Sequence, residues 1–269
     1  MVALSPEDRA HLCQAAEDHF SQVHYGIADK FVISCAQKES ALFVNCQNCT
    51  GEYVPFDNSD VSVIICNSGA KPKPISGKQI ISLLQTKYPE IQSLCDVTTN
   101  HIESMKDILG DKLYSVAFHM VTENQRTMEC KDALLHNDYD RLGALLMESH
   151  ASFRDILNAS SWEIDTLVEL AIEQPGVYGA RMNEEGNVIL LVQRSQEVSV
   201  MKVIMQEYKE RTGKECTMVT CYMCEGARIV TAEEMKAKTS ALWKRPWVWA
   251  CAATAVSIGV MILMRSRRH

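Results

Sequence analysis

The feature of this 269-residue sequence that most restricts its fold is an uncharged run of 18 residues from Trp247 to Met264. As a helix rising 1.5 Å per residue, it would span about 27 Å, enough to cross the hydrocarbon core of a bilayer. A helix buried in a protein core would show a polar face, whereas this run offers only Thr254 and Ser257. The sequence therefore predicts one transmembrane helix at 247–264, preceded by a separate body.

The flanks of the predicted span indicate how it would sit in a membrane. It ends five residues before the last residue of the sequence, which predicts a tail anchor with the body facing the cytosol. A basic linker at 236–246 precedes it, and Arg265, Arg267 and Arg268 follow it. A short, weakly apolar span with basic flanks favours the mitochondrial outer membrane, with the endoplasmic reticulum and the peroxisome as alternatives.

The charge of the body argues against one class of partner. The whole chain has a formal net charge of −7, but seven of its 27 Lys and Arg lie from Lys236 onward, where there is no Asp or Glu. The preceding residues therefore carry 20 basic against 34 acidic side chains. Because nucleic-acid phosphates require a basic surface, we expect no nucleic-acid partner.

The cysteines raise the question of a metal site. Two Cys-x-x-Cys pairs, Cys46/Cys49 and Cys221/Cys224, have the spacing with which two thiolates can bind one zinc ion. However, 171 residues separate the pairs, and both adjoin strand-like runs. The amino-terminal residues lack the apolar stretch of a secretory signal, which indicates a reducing compartment. We therefore expect buried, inert thiols and no metal.

Hydrophobic periodicity predicts an α+β body with one helical layer on a sheet. The predicted helices lie at 6–20, from 27 onward, and at 77–87, 100–109, 113–136, 139–157, 161–173 and 197–212. The predicted strands lie at 41–45, 61–67, 188–192, 217–223 and 228–230.

One long segment resembles a known family of sugar kinases. From Met147 to Met182 the sequence reads MESHASFRDILNASSWEIDTLVELAIEQPGVYGARM. It is similar to the galactokinase segment in which Ser-His, Arg-Asp, Glu-x-Asp-x-Leu-Val-Glu and Pro-Gly-Val-Tyr-Gly-x-Arg-Met recur. Upstream, HMVTENQR, with His119, Glu123 and Arg126, falls where that family has its preceding helix.

The resemblance covers nearly all of residues 9–230 and implies a fold. Galactokinases are members of the GHMP kinase superfamily. The resemblance therefore implies a GHMP-kinase C-terminal domain, ferredoxin-like, at 76–235. Residues 1–75 would be a remnant of the kinase N-terminal domain.

The resemblance also assigns a catalytic position. Gly26-Ile27-Ala28-Asp29 is similar to the run leading into the family's catalytic aspartate. That aspartate takes or orients the proton of the anomeric hydroxyl of galactose as ATP, with Mg²⁺, donates a phosphoryl group. Asp29 would occupy its place, and Gly26 would lie at the sugar. From the residues alone, Asp29 is only an acid near a helix start.

Several departures from the family predict that this activity is absent. Asn183, Glu184, Glu185 and Gly186 replace a glycine-rich phosphate-binding run, and Gln79 stands where the family has a sugar-contacting tyrosine. A carboxylate repels a phosphate charge 4 Å away by about 4 kcal/mol at an effective dielectric near 20. No stretch resembles the family's sugar-binding run or its Gly-Leu-Ser-Ser-Ser loop.

Two hypotheses follow. In the first, the chain is a membrane-tethered pseudoenzyme or binding module that needs no cofactor and leaves Asp29 idle. A protein partner would then bind the former interface between the two kinase domains. In the alternative, the chain is a fragment, or an incomplete gene model, of an active galactokinase that uses ATP and Mg²⁺.

Overall fold

The computed structural model describes residues 4–21, 26–56, 59–73, 79–230 and 232–233. Residues 1–226 form one compact unit and residues 227–269 a second, of which only 227–230 and 232–233 are described. The predicted span at 247–264 lies outside the described residues. None of the helices within the described ranges combines the length and apolar character that a bilayer crossing requires.

The first unit contains both helices and strands, grouped in runs along the chain. The α-helices are α1 Pro6–Ser21, α2 Ala28–Cys35, α3 Ile80–Leu84, α4 Thr99–Glu103, α5 Lys106–Leu135, α6 Tyr139–Ala151, α7 Trp162–Ile172 and α8 Glu197–Thr212. The strands are β1 Ser40–Asn45, β2 Thr50–Pro55, β3 Val61–Asn67, β4 Val177–Met182, β5 Asn187–Gln193 and β6 Thr217–Cys221.

The core of the unit forms around a four-stranded antiparallel sheet in the order β4-β5-β3-β6. Because side chains alternate between the two faces of a strand, Ile64 and Cys66 pack beneath α7 and α8. Val61, on the opposite face of β3, packs with residues of α5 and α6. The α+β class is confirmed, but helices cover both faces of the sheet and not one.

Helix α6 approaches strand β4 unusually closely, because a glycine lies on each side of the contact. A Cβ atom added at Gly143 would lie 2.1 Å from the carbonyl oxygen of Tyr178. One added at Gly179 would lie 2.2 Å from the carbonyl oxygen of Gly143. No side chain fits at either position without moving backbone, so these two glycines set the helix-to-strand distance.

Two smaller cores complete the unit. Helices α3 and α4 pack against the start of α5, where Gly110 breaks the helical path with a φ of +66°. Helices α1 and α2 pack with the β1–β2 hairpin, with Phe31 buried near Leu42. The hairpin and these two helices therefore share a small core that is separate from the core around the four-stranded sheet.

Some predicted elements are wrong. Residues 228–230 are not a strand, because the chain leaves the sheet after β6 and the Gly226 amide donates to the Ala36 carbonyl. The predicted helix at 139–157 changes after α6 into a π-helical turn, Ser152–Ile156. Strands β2 and β4 were not predicted. Most residues of β2 are exposed, and β4 contains Gly179 and Arg181, so neither segment shows the apolar pattern typical of a strand.

Candidate functional site

A cavity of about 680 Å³ opens beside the sheet, where several segments converge. Helix α5 contributes one wall and the π-helical turn contributes Phe153. The remaining walls include Lys73 from the segment after β3, Arg181 at the end of β4, and Glu184 from the turn that follows. The cavity thus joins residues that lie more than a hundred positions apart in the sequence.

Glu123 of α5 organises the charges on this wall. Its carboxylate accepts a hydrogen bond from Arg126 Nε at 2.6 Å and one from Ser149 Oγ at 2.7 Å. Arg181 Nη1 lies 3.5 Å from the same carboxylate, and its guanidinium lies 5.7 Å from the centre of the Phe153 ring. Glu123 is therefore shared by two cations and a hydroxyl, which holds α5, α6 and β4 together.

His119 lies one helical turn before Glu123 and is almost completely buried. Its Nδ1 is 2.8 Å from Ser152 Oγ, and its ring meets Phe153 edge-on at 4.5 Å between centroids. The pKa of His119 is lowered to about 4, chiefly by burial; Glu123 opposes the change, and Arg126 and Arg181 contribute to it. At neutral pH the cavity wall therefore contains an uncharged imidazole.

This low pKa predicts acid sensitivity. An unfolded histidine has a pKa near 6.5, so between about pH 6.5 and pH 4 the unfolded chain binds the proton more readily. His119 therefore stabilises the fold fully above that window and loses this contribution as the pH falls through it, by about 2 kcal/mol at pH 5.

The measurement is chemical unfolding at pH 7.5 and pH 5.0 of the parent and of His119→Gln. We expect the variant to lose less stability than the parent between these pH values. His136→Gln, which changes an exposed histidine at the end of α5, should behave like the parent. Identical pH dependence in all three proteins would contradict the assignment to His119.

The turn between β4 and β5 contains the four residues that replace the glycine-rich phosphate motif. Asn183 Oδ1 accepts from the amides of Glu185 and Asn187, at 3.1 and 2.9 Å. The Asn183 amide donates to the Asn187 carbonyl, and the Gly186 amide donates to the Asn183 carbonyl. These four amides are used inside the turn, so they do not point at a ligand.

Gly186 closes the turn against the segment after β3. Its φ is +86°, and an added Cβ would lie 2.7 Å from Pro72 Cδ. The carboxylates of Glu184 and Glu185 are exposed, and Glu184 lines the cavity. The predicted degenerate motif therefore lies at the cavity, with a compact acidic turn in place of an open phosphate cradle.

The predicted catalytic residues lie elsewhere. Asp29 is exposed in the first turn of α2, and Gly26 is also exposed. Neither lines the 680 Å³ cavity or a second one of about 550 Å³. Gln79, also exposed, precedes α3.

The residues at the centre of the cavity wall were not predicted as site residues. His119 and Glu123, which line the cavity, recur at helical spacing on α5 with Arg126, which binds Glu123, and this polar stripe was the available signal. Arg181, which pairs with Glu123, lies 58 positions later in the sequence, so the sequence alone could not show that these two side chains meet.

The Cys-x-x-Cys pairs do not converge on a metal site. Among the described residues, no group of three or more His, Cys, Asp or Glu side chains has an arrangement that could hold a metal ion. Cys49 packs against the small core around Phe31, whereas Cys46 is exposed. The two members of the first pair therefore face different surroundings.

Comparisons with known proteins agree on one group of relatives. No protein-family model matches the chain. A galactokinase of Chloroflexus aggregans is 30% identical over 245 residues, which cover 87% of this chain and 63% of that protein. The galactokinase of Clostridium perfringens is 33% identical, covering 83% and 61%, and that of Homo sapiens is 32% identical, covering 82% and 57%.

A solved structure extends the similarity to the fold. The crystal structure of Lactococcus lactis galactokinase complexed with galactose matches with a TM-score of 0.77 and 28% identity. The match covers 85% of this chain and 62% of that one. The chain is thus galactokinase-like, with a GHMP-kinase-like α+β fold, and spans about three fifths of the length of these relatives.

Proposed function

We propose that this galactokinase-like chain does not transfer a phosphoryl group by itself and acts as a non-catalytic binding module. The observation that carries the proposal is the internal hydrogen bonding of the turn between β4 and β5. Phosphate-binding loops present free backbone amides to the ligand. In this turn the amides of Asn183, Glu185, Gly186 and Asn187 are engaged internally, and two carboxylates project beside them.

The charge of the cavity supports the same conclusion. Lys73 and Arg181 line it together with Glu123 and Glu184, so the charged lining is balanced. Arg181 is already paired with Glu123. A polyphosphate would therefore gain no net attraction there, and Glu184 would repel it.

The test uses the full-length chain in detergent, with human galactokinase as the positive control. We expect no galactose-dependent release of ADP and no rise in melting temperature with ATP and Mg²⁺. A bound ligand at a hundred times its Kd would add about 2.7 kcal/mol of stability, which is readily seen. Turnover that disappears in Asp29→Asn would overturn the proposal.

A second candidate function is that of one part of an active galactokinase. The observation in its favour is that the chain spans only 57–63% of the length of the galactokinases it matches. The remaining part would then cover apolar side chains exposed on β3 and β6, such as Ile65 and Val219. It would also have to bring a phosphate site to Asp29.

Complementation distinguishes the two candidates. The unmatched amino-terminal part of human galactokinase is added to this chain, and galactose-dependent ADP release is measured. Activity that requires both parts and is lost in Asp29→Asn would favour the second candidate. Physical association without activity would favour the binding module.

We also propose that the run from Trp247 to Met264 attaches the chain to a membrane, with the mitochondrial outer membrane as the first choice. Its support is the sequence alone: 18 uncharged residues with basic flanks. Residues 236–269 fused to a fluorescent reporter should label mitochondria. Replacing Arg265, Arg267 and Arg268 with serine should redirect the reporter to the endoplasmic reticulum. A diffuse cytosolic signal from the parent fusion would refute the anchor.

A further inference from the structure

The second cavity, of about 550 Å³, lies between the β1–β2 turn and helix α5. Two cysteines far apart in the sequence, Cys46 and Cys95, line it, and both are exposed. Cys46 begins the β1–β2 turn, and Cys95 is the middle residue of a 3₁₀ turn, Leu94–Asp96. We propose that Cys46 and Cys95 form an oxidant-sensitive dithiol that closes across this cavity as a disulfide.

A side-chain hydrogen bond holds the two turns together. Gln47, next to Cys46, donates through Nε2 to Asp96 Oδ1 at 3.0 Å, and Asp96 is next to Cys95. The second carboxylate oxygen of Asp96 accepts from the amides of Gln92 and Ser93. These bonds, led by the one from the Ser93 amide, lower the pKa of Asp96, because they favour its ionised carboxylate.

The β1–β2 turn is itself ordered. Asn45 Oδ1 accepts from the amides of Gln47 and Asn48, at 3.0 and 3.3 Å. Thr50 Oγ1 donates to Asn48 Oδ1 at 2.6 Å. Cys46 is therefore presented by a preformed turn. Ordered turns on both sides reduce the entropy that joining the two thiols would require.

The structure also favours Cys95 over Cys49 as the partner of Cys46. The Cys49 thiol donates to the Cys46 carbonyl oxygen at 3.8 Å and packs against the core around Phe31. It does not line the cavity. Partial burial raises the pKa of the Cys46 thiol, and Cys95 and then Cys49 raise it further.

The oxidant is a hydroperoxide, of which hydrogen peroxide is the simplest. One thiolate attacks a peroxide oxygen, which gives a sulfenic acid and releases hydroxide, protonated to water. The second thiol then attacks the sulfenic sulfur, forming the S–S bond and releasing a second water. Two thiols and one hydrogen peroxide thus give one disulfide and two waters. Because the pKa of Cys46 is raised, the reaction should be faster at pH 9 than at pH 7.

The experiment treats the full-length chain in detergent with hydrogen peroxide at low micromolar protein concentration. Non-reducing digestion with a glutamyl endopeptidase releases Cys46 and Cys49 on peptide 40–52 and Cys95 on peptide 91–103. We expect these peptides to be linked in the monomer, and the link to be lost in Cys46→Ser and Cys95→Ser. Cys49→Ser should retain it, as should Cys13→Ser, which removes an exposed cysteine on α1.

Thermal unfolding supplies an independent measurement. Oxidation should raise the melting temperature of the parent by about 5 °C or more, and dithiothreitol should reverse the change. Cys46→Ser and Cys95→Ser should show no such rise. A Cys46–Cys49 bridge, or only intermolecular disulfides, would overturn the proposal. Neither outcome depends on whether the chain transfers phosphate.

Discussion

Alanine at position 143 is expected to destabilise the fold by about 3 kcal/mol or more, although Gly143 lies in the middle of helix α6. Helix propensity alone predicts that the variant is more stable, because replacing glycine with alanine in a helix interior increases the free energy of unfolding by roughly 1 kcal/mol. The new Cβ, however, would lie 2.1 Å from the Tyr178 carbonyl oxygen of β4. Neither backbone can move without opening the contact between α6 and the sheet. The loss of stability from this clash should therefore exceed the gain from the higher helix propensity of alanine.

The measurement is urea unfolding of the full-length chain in mild detergent, followed by tryptophan fluorescence and circular dichroism. The matched control is Gly26→Ala, because no atom of the described residues, apart from the chain neighbours of Gly26, lies within 4 Å of a Cβ added there. It should remain within about 0.5 kcal/mol of the parent. A Gly143→Ala protein as stable as the parent would show that α6 and β4 are not so closely packed.

Replacing Glu123 with glutamine is expected to destabilise the fold by about 2 kcal/mol. The change preserves shape but removes the charge that Arg126 and Arg181 share. The three side chains are only 16–26% exposed, so water compensates poorly for the lost carboxylate. Breaking a fully buried pair typically costs about 3–5 kcal/mol, and the partial exposure here lowers the expectation.

Glu129→Gln is the matched control on the same helix. Glu129 pairs with Arg141, but both side chains are about 40% exposed. Surface ion pairs contribute about 1 kcal/mol or less, so this variant should lose much less stability than Glu123→Gln. High salt should reduce the effect at Glu129 more than the effect at Glu123. Equal losses in the two variants would contradict a special role for Glu123.

Much of the fold could be predicted from local patterns. Helix α7, with its apolar stripe, and helix α8 were predicted within about two residues, because one buried face of a helix repeats at a regular spacing. Strands β3 and β5 were predicted because both are apolar runs bounded by polar residues. Strand β2 was not predicted, because all but one of its residues are exposed and it contributes little hydrophobic signal.

The candidate site was predicted only in part. The turn containing Glu184 and Glu185 was identified as a departure from the phosphate motif, and its Glu184 lines the 680 Å³ cavity. The structure alone revealed that the amides of Asn183, Glu185, Gly186 and Asn187 are bonded within the turn, since hydrogen-bond pairing depends on the backbone path. It also revealed that Asp29 lines neither of the two cavities described above.

The sequence by itself determined the resemblance to galactokinases, the α+β class, the acidic turn, and the uncharged run from Trp247 to Met264, because these depend on residue type and near-neighbour spacing. Only the tertiary structure decided that Glu123 meets Arg181, that Gly143 meets Tyr178, and that Cys46 and Cys95 share a cavity. The two residues of each pair lie 35 to 58 positions apart in the sequence. Pairings over such distances arise when separate helices, strands and turns pack together, and local sequence patterns do not show which elements pack against each other.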